Sequence, residues 1–225
     1  MTELPVRPGD RVPSDDLVPP GQSVLAGVPV PQVAPSDQVP PDVLHGPRLD
    51  LVLVSVEQLL GRAASDGPVP LGYDDPADVL HPDRSPLRHR VRQVTEDPST
   101  NPWLVRLAVL RESGTVVGLV GFHAPPDAAG RVEIGYRVLP AYRLRGYARE
   151  MATTMWAYAA RHPSVRVLRA SVAPDNAGSR AIIEGAGFVQ VGEQDDPEDG
   201  LELVYEIAVD DYAARWNVSG APARW

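Results

Sequence analysis

The chemistry of this chain is easiest to place around Gly146. From Arg131 to Glu150 the sequence reads RVEIGYRVLPAYRLRGYARE, and Val132, Ile134, Tyr136 and Val138 alternate with Glu133, Gly135, Arg137 and Leu139. That period of two predicts a strand. Pro140 ends it, because proline has no N–H for the ladder. Beyond a short basic turn, Ala148, Met151, Ala152, Met155 and Ala159 recur at helical spacing. A strand, a tight glycine turn and a helix leave backbone N–H groups pointing out of the helix start, which is a phosphate site. Arg143 and Arg145 add positive charge beside it.

The rest of the chain has to position that turn. Its 225 residues suffice for one domain with a sizeable core, and 43 % are hydrophobic. There is no cysteine, which excludes a disulfide scaffold, a thiolate nucleophile and any cysteine-ligated metal. No apolar run approaches the ~20 residues that span a bilayer. The start, MTELPVRPGD, lacks the basic-then-apolar pattern of a signal peptide, so a cytoplasmic protein is expected. The net charge of −9 argues against nucleic acid and leans toward cationic partners.

Residues 1–46 are rich in Pro, Val, Asp and Gly and read as a disordered N-terminal arm. The alternative is an arm that lies on the domain or a partner through Val24, Leu25, Val28 and Val30. The domain is assigned to 47–210 and a C-terminal tail to 211–225. Leu51 and Leu53 mark a first strand, and Ser55 with Gln58 forms a capping box for a helix over Val56–Ala63. Residues 66–87 read as loop and 88–95 as a polar helix, with Arg88, Arg90 and Arg92 on a solvated face. Trp103–Leu110 and Val116–His123 form a hairpin around Glu112-Ser113-Gly114. Val165–Ala173 is the next strand, and Pro174-Asp175-Asn176 starts a helix closed by Gly187. Phe188–Gly192 and Leu201–Val209 are strands flanking an acidic loop, 195–200. Met151, Met155 and Trp156 read as core.

Arg143-Leu144-Arg145-Gly146-Tyr147-Ala148 resembles the Arg/Gln-x-x-Gly-x-Gly/Ala signature of the GNAT superfamily, acetyl-CoA-dependent N-acetyltransferases. Asn176, Ser179 and Gly187-Phe188 resemble a second block of that family, and Glu133-Ile134-Gly135-Tyr136 resembles a strand of its branch acetylating protein N-termini, including those of ribosomal proteins. The resemblance covers residues 48–209. It implies an α/β GNAT acyltransferase fold: a mixed, mostly antiparallel sheet splayed at a central parallel strand pair, 131–139 with 165–173, and flanked by helices. It implies acetyl-CoA as co-substrate, its pyrophosphate over the N–H groups of Leu144, Arg145, Gly146, Tyr147 and Ala148. Arg137, Val138 and Leu139 would pair with the pantetheine amides, and Asn176 and Ser179 would lie near the thioester.

Acetyl transfer from a thioester to an amine needs a neutral amine, a donor for the developing negative charge, and a proton for the departing thiolate. No metal is needed. Glu133, opposite the apolar strand face, is the candidate base, directly or through water; the plainer reading is a salt-bridged surface glutamate. Ser179 either meets the cofactor sulfur or caps its helix. Many relatives carry a tyrosine acid four residues after the Ser179 position, where this chain has Ile183. That leaves Ser179, Tyr142, Tyr205 or water. The expected acceptor is the amine of a protein or peptide N-terminus, handled by a monomer or homodimer, with the acidic loop attracting cations. A small cationic amine, of aminoglycoside or polyamine type, is the alternative; a non-catalytic acyl-CoA-binding module is the reading from another class.

Overall fold

The computed structural model describes residues 42–65, 71–82, 86–197 and 200–218, so the expectation for residues 1–41 lies outside the described residues. Eight strands among the described residues make one sheet: β1 (Val43–His45), β2 (Leu49–Leu53), β3 (Arg106–Leu110), β4 (Val116–Phe122), β5 (Arg131–Val138), β6 (Val167–Val172), β7 (Val189–Asp196) and β8 (Gly200–Ala208). Their order is β1-β2-β3-β4-β5-β6-β8-β7. Every neighbouring pair is antiparallel except β5 and β6, which run parallel. The helices are α1 (Val56–Ala63), α2 (Leu87–Glu96), α3 (Tyr147–Ala160), α4 (Ala177–Ala186) and α5 (Val209–Trp216). This is the mixed, helix-flanked sheet that the family resemblance implies.

Apolar layers lie on both sides of β3 and β4, which lose their alternation, whereas β5 and β6 keep theirs. All seven residues of β4, VVGLVGF, are buried, as expected of a strand with apolar layers on both sides. Phe122, Val132, Ile134, Met151, Met155 and Trp156 belong to one core. Leu59, Leu87, Val94, Leu107 and Leu119 belong to the other. Gly121 of β4 lies so close to the chain at Leu104 that an added Cβ would fall 1.3 Å from that carbonyl oxygen. No side chain fits there.

Several boundaries shift for physical reasons. Strand β3 starts at Arg106 rather than Trp103, because Pro98–Trp103 form a 3₁₀ turn whose Pro98 and Pro102 favour a helical φ and cannot donate to a ladder. Strand β1 lies inside the segment assigned to the arm, and its partners come from β2. Helix α5, Val209–Trp216, runs into the segment assigned to the tail, anchored by Tyr212, which is buried with its ring 6.2 Å from that of Trp156. Asp195 and Asp196, assigned to an acidic loop, are strand residues of β7 facing Leu201 and Gly200. The capping box at Ser55 and Gln58 is present, with both reciprocal hydrogen bonds.

Arg90 departs furthest from its predicted surroundings. It is buried rather than solvated, and burial lowers its pKa to about 10. Its guanidinium donates to the His123 carbonyl at 2.8 Å and to Gln93 Oε1 at 2.9 Å. Gln93 donates to the same carbonyl, so α2 fixes the end of β4 by two polar contacts.

A buried carboxylate joins the first strand pair to α3. Glu150 accepts hydrogen bonds from the N–H groups of Arg48 and Leu49 and, at 2.9 Å, from Arg48 Nε. Glu150→Ala would leave buried N–H groups without acceptors. It is expected to cost about 3 kcal/mol of unfolding free energy, read as a lower urea midpoint at unchanged slope. Glu150→Gln keeps one acceptor and should recover part of that loss.

Candidate active site

The turn around Gly146 forms as its sequence requires. Strand β5 ends at Val138, Pro140–Tyr142 make a 3₁₀ turn, and Gly146 becomes the N-cap of α3 with φ +82°. Glycine adopts that left-handed backbone without penalty. Leu144 also sits at φ +61°, which costs an L-residue with a side chain roughly 1–2 kcal/mol. No side chain caps α3, so its first-turn N–H groups have no carbonyl of their own helix to bond. Arg48 donates to the Arg145 carbonyl at 3.0 Å and lies 4.7 Å from the centre of the Tyr147 ring. Arg143 Nε donates to the Val138 carbonyl at 3.2 Å. Exposed N–H groups, a helix dipole and three arginines therefore surround one short turn, a combination that holds a pyrophosphate.

A cavity of about 690 Å³ runs from this turn along β5 to α4. Most residues predicted to hold the cofactor line it: Arg137, Val138, Arg143, Leu144, Gly146, Tyr147, Ala148, Asn176 and Ser179. Leu139 and Arg145 do not. The Leu139 N–H already donates to the Val117 carbonyl at 2.9 Å, so it is not free for an added strand. Arg145 stacks over the Tyr142 ring at 5.6 Å. The cavity fits an elongated ligand with anionic groups at the α3 end and amides along the free edge of β5.

A second cavity, of about 330 Å³, opens where β5 and β6 part. It shares Tyr136, Asn176 and Ser179 with the first, so the two meet at those three residues. Ile134, Val172 and Ile183 make its apolar wall, while His123, Ser171 and Glu202 supply polar atoms. Gln194 donates to Ser171 Oγ at 3.2 Å and to Glu202 Oε2 at 3.0 Å. The carboxylate in this cavity is thus Glu202 of β8, not a member of the acidic stretch that the sequence singles out.

The remaining expected residues divide. Glu133 stands at the last position of β5 paired with β6, opposite Arg169. Its carboxylate lies 4.0 Å from Nδ1 of His123, which lines the second cavity, and Glu133 itself is outside that lining. Asn176 caps α4, accepting from the Ser179 N–H at 3.1 Å, and lines both cavities, so cap and ligand-facing residue are one side chain. Tyr205 donates its hydroxyl to Glu184 at 3.0 Å, which removes it from the thioester end. Tyr136, on the apolar face of the predicted strand, packs against the core and also stands at the junction of the two cavities. Only the gap beside β5, invisible in the sequence, marks it.

The turn's geometry has a direct consequence for CoA. Gly146→Ala forces a side chain into the left-handed region and is expected to weaken CoA binding about tenfold by calorimetric titration. Leu144→Gly relieves strain that the turn carries already without CoA, so it should raise the urea midpoint while CoA affinity stays within about twofold of wild type.

The comparisons agree with this geometry. The model of the Acetyltransferase (GNAT) domain matches residues 73–189, about half of the chain. An uncharacterized N-acetyltransferase of Bacillus subtilis, YjdG, is 31 % identical over 87 residues, 39 % of this chain and 50 % of its own length. The chain spans about half the length of the curated relatives it matches. Among solved structures, the spermidine/spermine N-acetyltransferase SpeG from Vibrio cholerae superposes with a TM-score of 0.54 at 15 % identity, covering 75 % of this chain and 97 % of its own. The ribosomal L7/L12 alpha-N-protein acetyltransferase RimL, in complex with coenzyme A, gives 0.52 at 14 % identity, covering 75 % and 98 %. At such identities these two likenesses establish the fold. With a parallel strand pair that parts, an uncapped glycine turn at the head of α3, and a family match across both, the chain belongs to the GNAT acetyltransferase family, whose acetyl donor is acetyl-CoA.

Proposed function

We propose that this protein transfers the acetyl group of acetyl-CoA to the primary amine of a small cationic acceptor. The second cavity carries this reading. At about 330 Å³ it is near the lower bound of small-molecule sites, and it meets the cofactor cavity at Tyr136, Asn176 and Ser179. Glu202 gives it a carboxylate for an ammonium group, and Ile134, Val172 and Ile183 suit a short methylene chain. The sequence-derived preference for a protein N-terminus rests on Glu133-Ile134-Gly135-Tyr136. Neighbours in fold include both a polyamine and a protein N-terminal acetyltransferase, so the pocket tips the balance toward the small amine.

In this reading the turn from Leu144 to Ala148, with Arg143 and Arg48, holds the pyrophosphate, and the free edge of β5 orients the arm. Orientation of this kind supplies much of the rate. Glu133 takes the amine proton. Its carboxylate is set back behind His123, so the proton travels through the imidazole or a water.

A thiol-release screen against polyamines, aminoglycosides and peptides with free N-termini tests the acceptor. Turnover with small polycations and none with peptides is expected; a response confined to peptides would replace this reading with the N-terminal one. CoA binding without turnover on any panel would make the protein a binding module. With an acceptor in hand, Glu133→Gln should lower kcat by about 10² while leaving CoA affinity within twofold. Unchanged turnover across pH would return Glu133 to a structural role.

A further inference from the structure

We propose that Tyr136 delivers the proton to the sulfur of the departing thiolate. The inference rests on the acetyl-transfer reading above and names the acid that Ile183 cannot be. Of the buried side-chain N and O atoms without a hydrogen-bond partner among the described residues, the Tyr136 hydroxyl alone belongs to a residue lining both cavities. A buried tyrosine hydroxyl ordinarily finds a partner, because leaving one unbonded costs free energy. The site is therefore built for an acceptor atom that arrives with the ligand.

Position selects which atom. The thioester must lie where the two cavities meet, since acetyl donor and amine enter from different sides. Three residues line that junction. Asn176 spends its side-chain oxygen on the cap of α4. Ser179 lies near enough to influence the phenol, but the two side chains fall outside hydrogen-bond geometry. Tyr205 is engaged by Glu184, and Tyr142 lines the first cavity without reaching the second. Of the two hydroxyls at the junction, that of Tyr136 is the one held out of water without a partner, so it is the donor whose bond the ligand must supply.

Burial raises the Tyr136 pKa, chiefly by desolvation, against a smaller lowering from Ser179. The phenol therefore stays protonated through neutral pH and is present as a donor when needed. The same dryness makes a bare thiolate costly at the junction, which draws the proton toward sulfur as the bond breaks. The balance closes. The amine nitrogen forms the C–N bond with its lone pair and gives up one proton, which passes by way of Glu133 to solvent. The C–S bond breaks with its electron pair going to sulfur, sulfur takes the Tyr136 proton, and solvent returns a proton to the phenolate. The products are one amide and one thiol, with no external reagent.

The test compares wild type and Tyr136→Phe, a change that removes one oxygen and keeps the ring. Two donors are used, acetyl-CoA and its selenoester analogue, whose selenolate leaves without needing a proton. With acetyl-CoA, Tyr136→Phe is expected to lose about 10² in kcat while CoA affinity stays within twofold. With the selenoester the loss should shrink to less than about fivefold. A merely structural role would slow both donors alike, so equal losses, or no loss, would overturn the proposal while leaving the acetyl-transfer reading intact. A wild-type protein that acetylates no amine with either donor would overturn that reading, and this proposal with it.

Discussion

Parallel strands β5 and β6 stay paired for three residues, Arg131 to Glu133 against Val167 to Arg169, and the site follows from their parting. β5 runs on to Val138 beside β4, while β6, paired with β8 along its other edge throughout, leaves β5 beyond Arg169. Backbone groups on the abandoned edge of β5 have no strand to meet and need water or a ligand. Both cavities border this gap, and both include Tyr136. Had the two strands zipped to their ends, the sheet would be more complete and would have no place for a thioester.

A gap in a sheet is a weakness, and the structure offsets it on either side. On one side, β4 is fully buried and pinned where Gly121 lets the chain at Leu104 come close. On the other, β8 pairs with β6 over six positions and with β7 over seven, so the outer half of the sheet is held without help from β5. Glu150 adds a third restraint. It ties the β2 end of the sheet to the first turn of α3, and Arg48 extends the same tie to the carbonyl of Arg145. The phosphate turn is thereby fixed from the far end of the chain, which favours an anion site that needs little rearrangement on binding.

The polar groups of the site are arranged by what burial allows. Arg90 and Glu150 are charged and buried, and each is occupied by backbone partners: a carbonyl for the first and N–H groups for the second. They hold structure. Tyr136 is partly buried, with its hydroxyl out of water and uncommitted, and Glu133 is partly exposed with only a distant imidazole beside it. In the proposed reaction, the two groups that exchange protons are the ones left without a fixed partner.

Much of this was legible in the chain. Alternation over 131–139, Pro140 and Gly146 determine the strand, its stop and the helix start, because each is a local property of backbone geometry. Ser55 with Gln58, and Asn176 before α4, likewise announce their helices, since a cap needs only residues three apart. Other features needed the folded chain. Arg90 looked solvated among its charged neighbours, and only the packing of α2 against the end of β4 buries it. Strand β1 and the outer half of the β7–β8 hairpin carry too little apolar pattern to be read alone, and pairing defines them. The cavity carboxylate Glu202 and the open hydroxyl of Tyr136 come from strands whose approach is set by twist and by a three-residue register. Sequence spacing fixes what residues do to their own backbone; how far two strands travel together before they part is decided by the packing on both faces of the sheet.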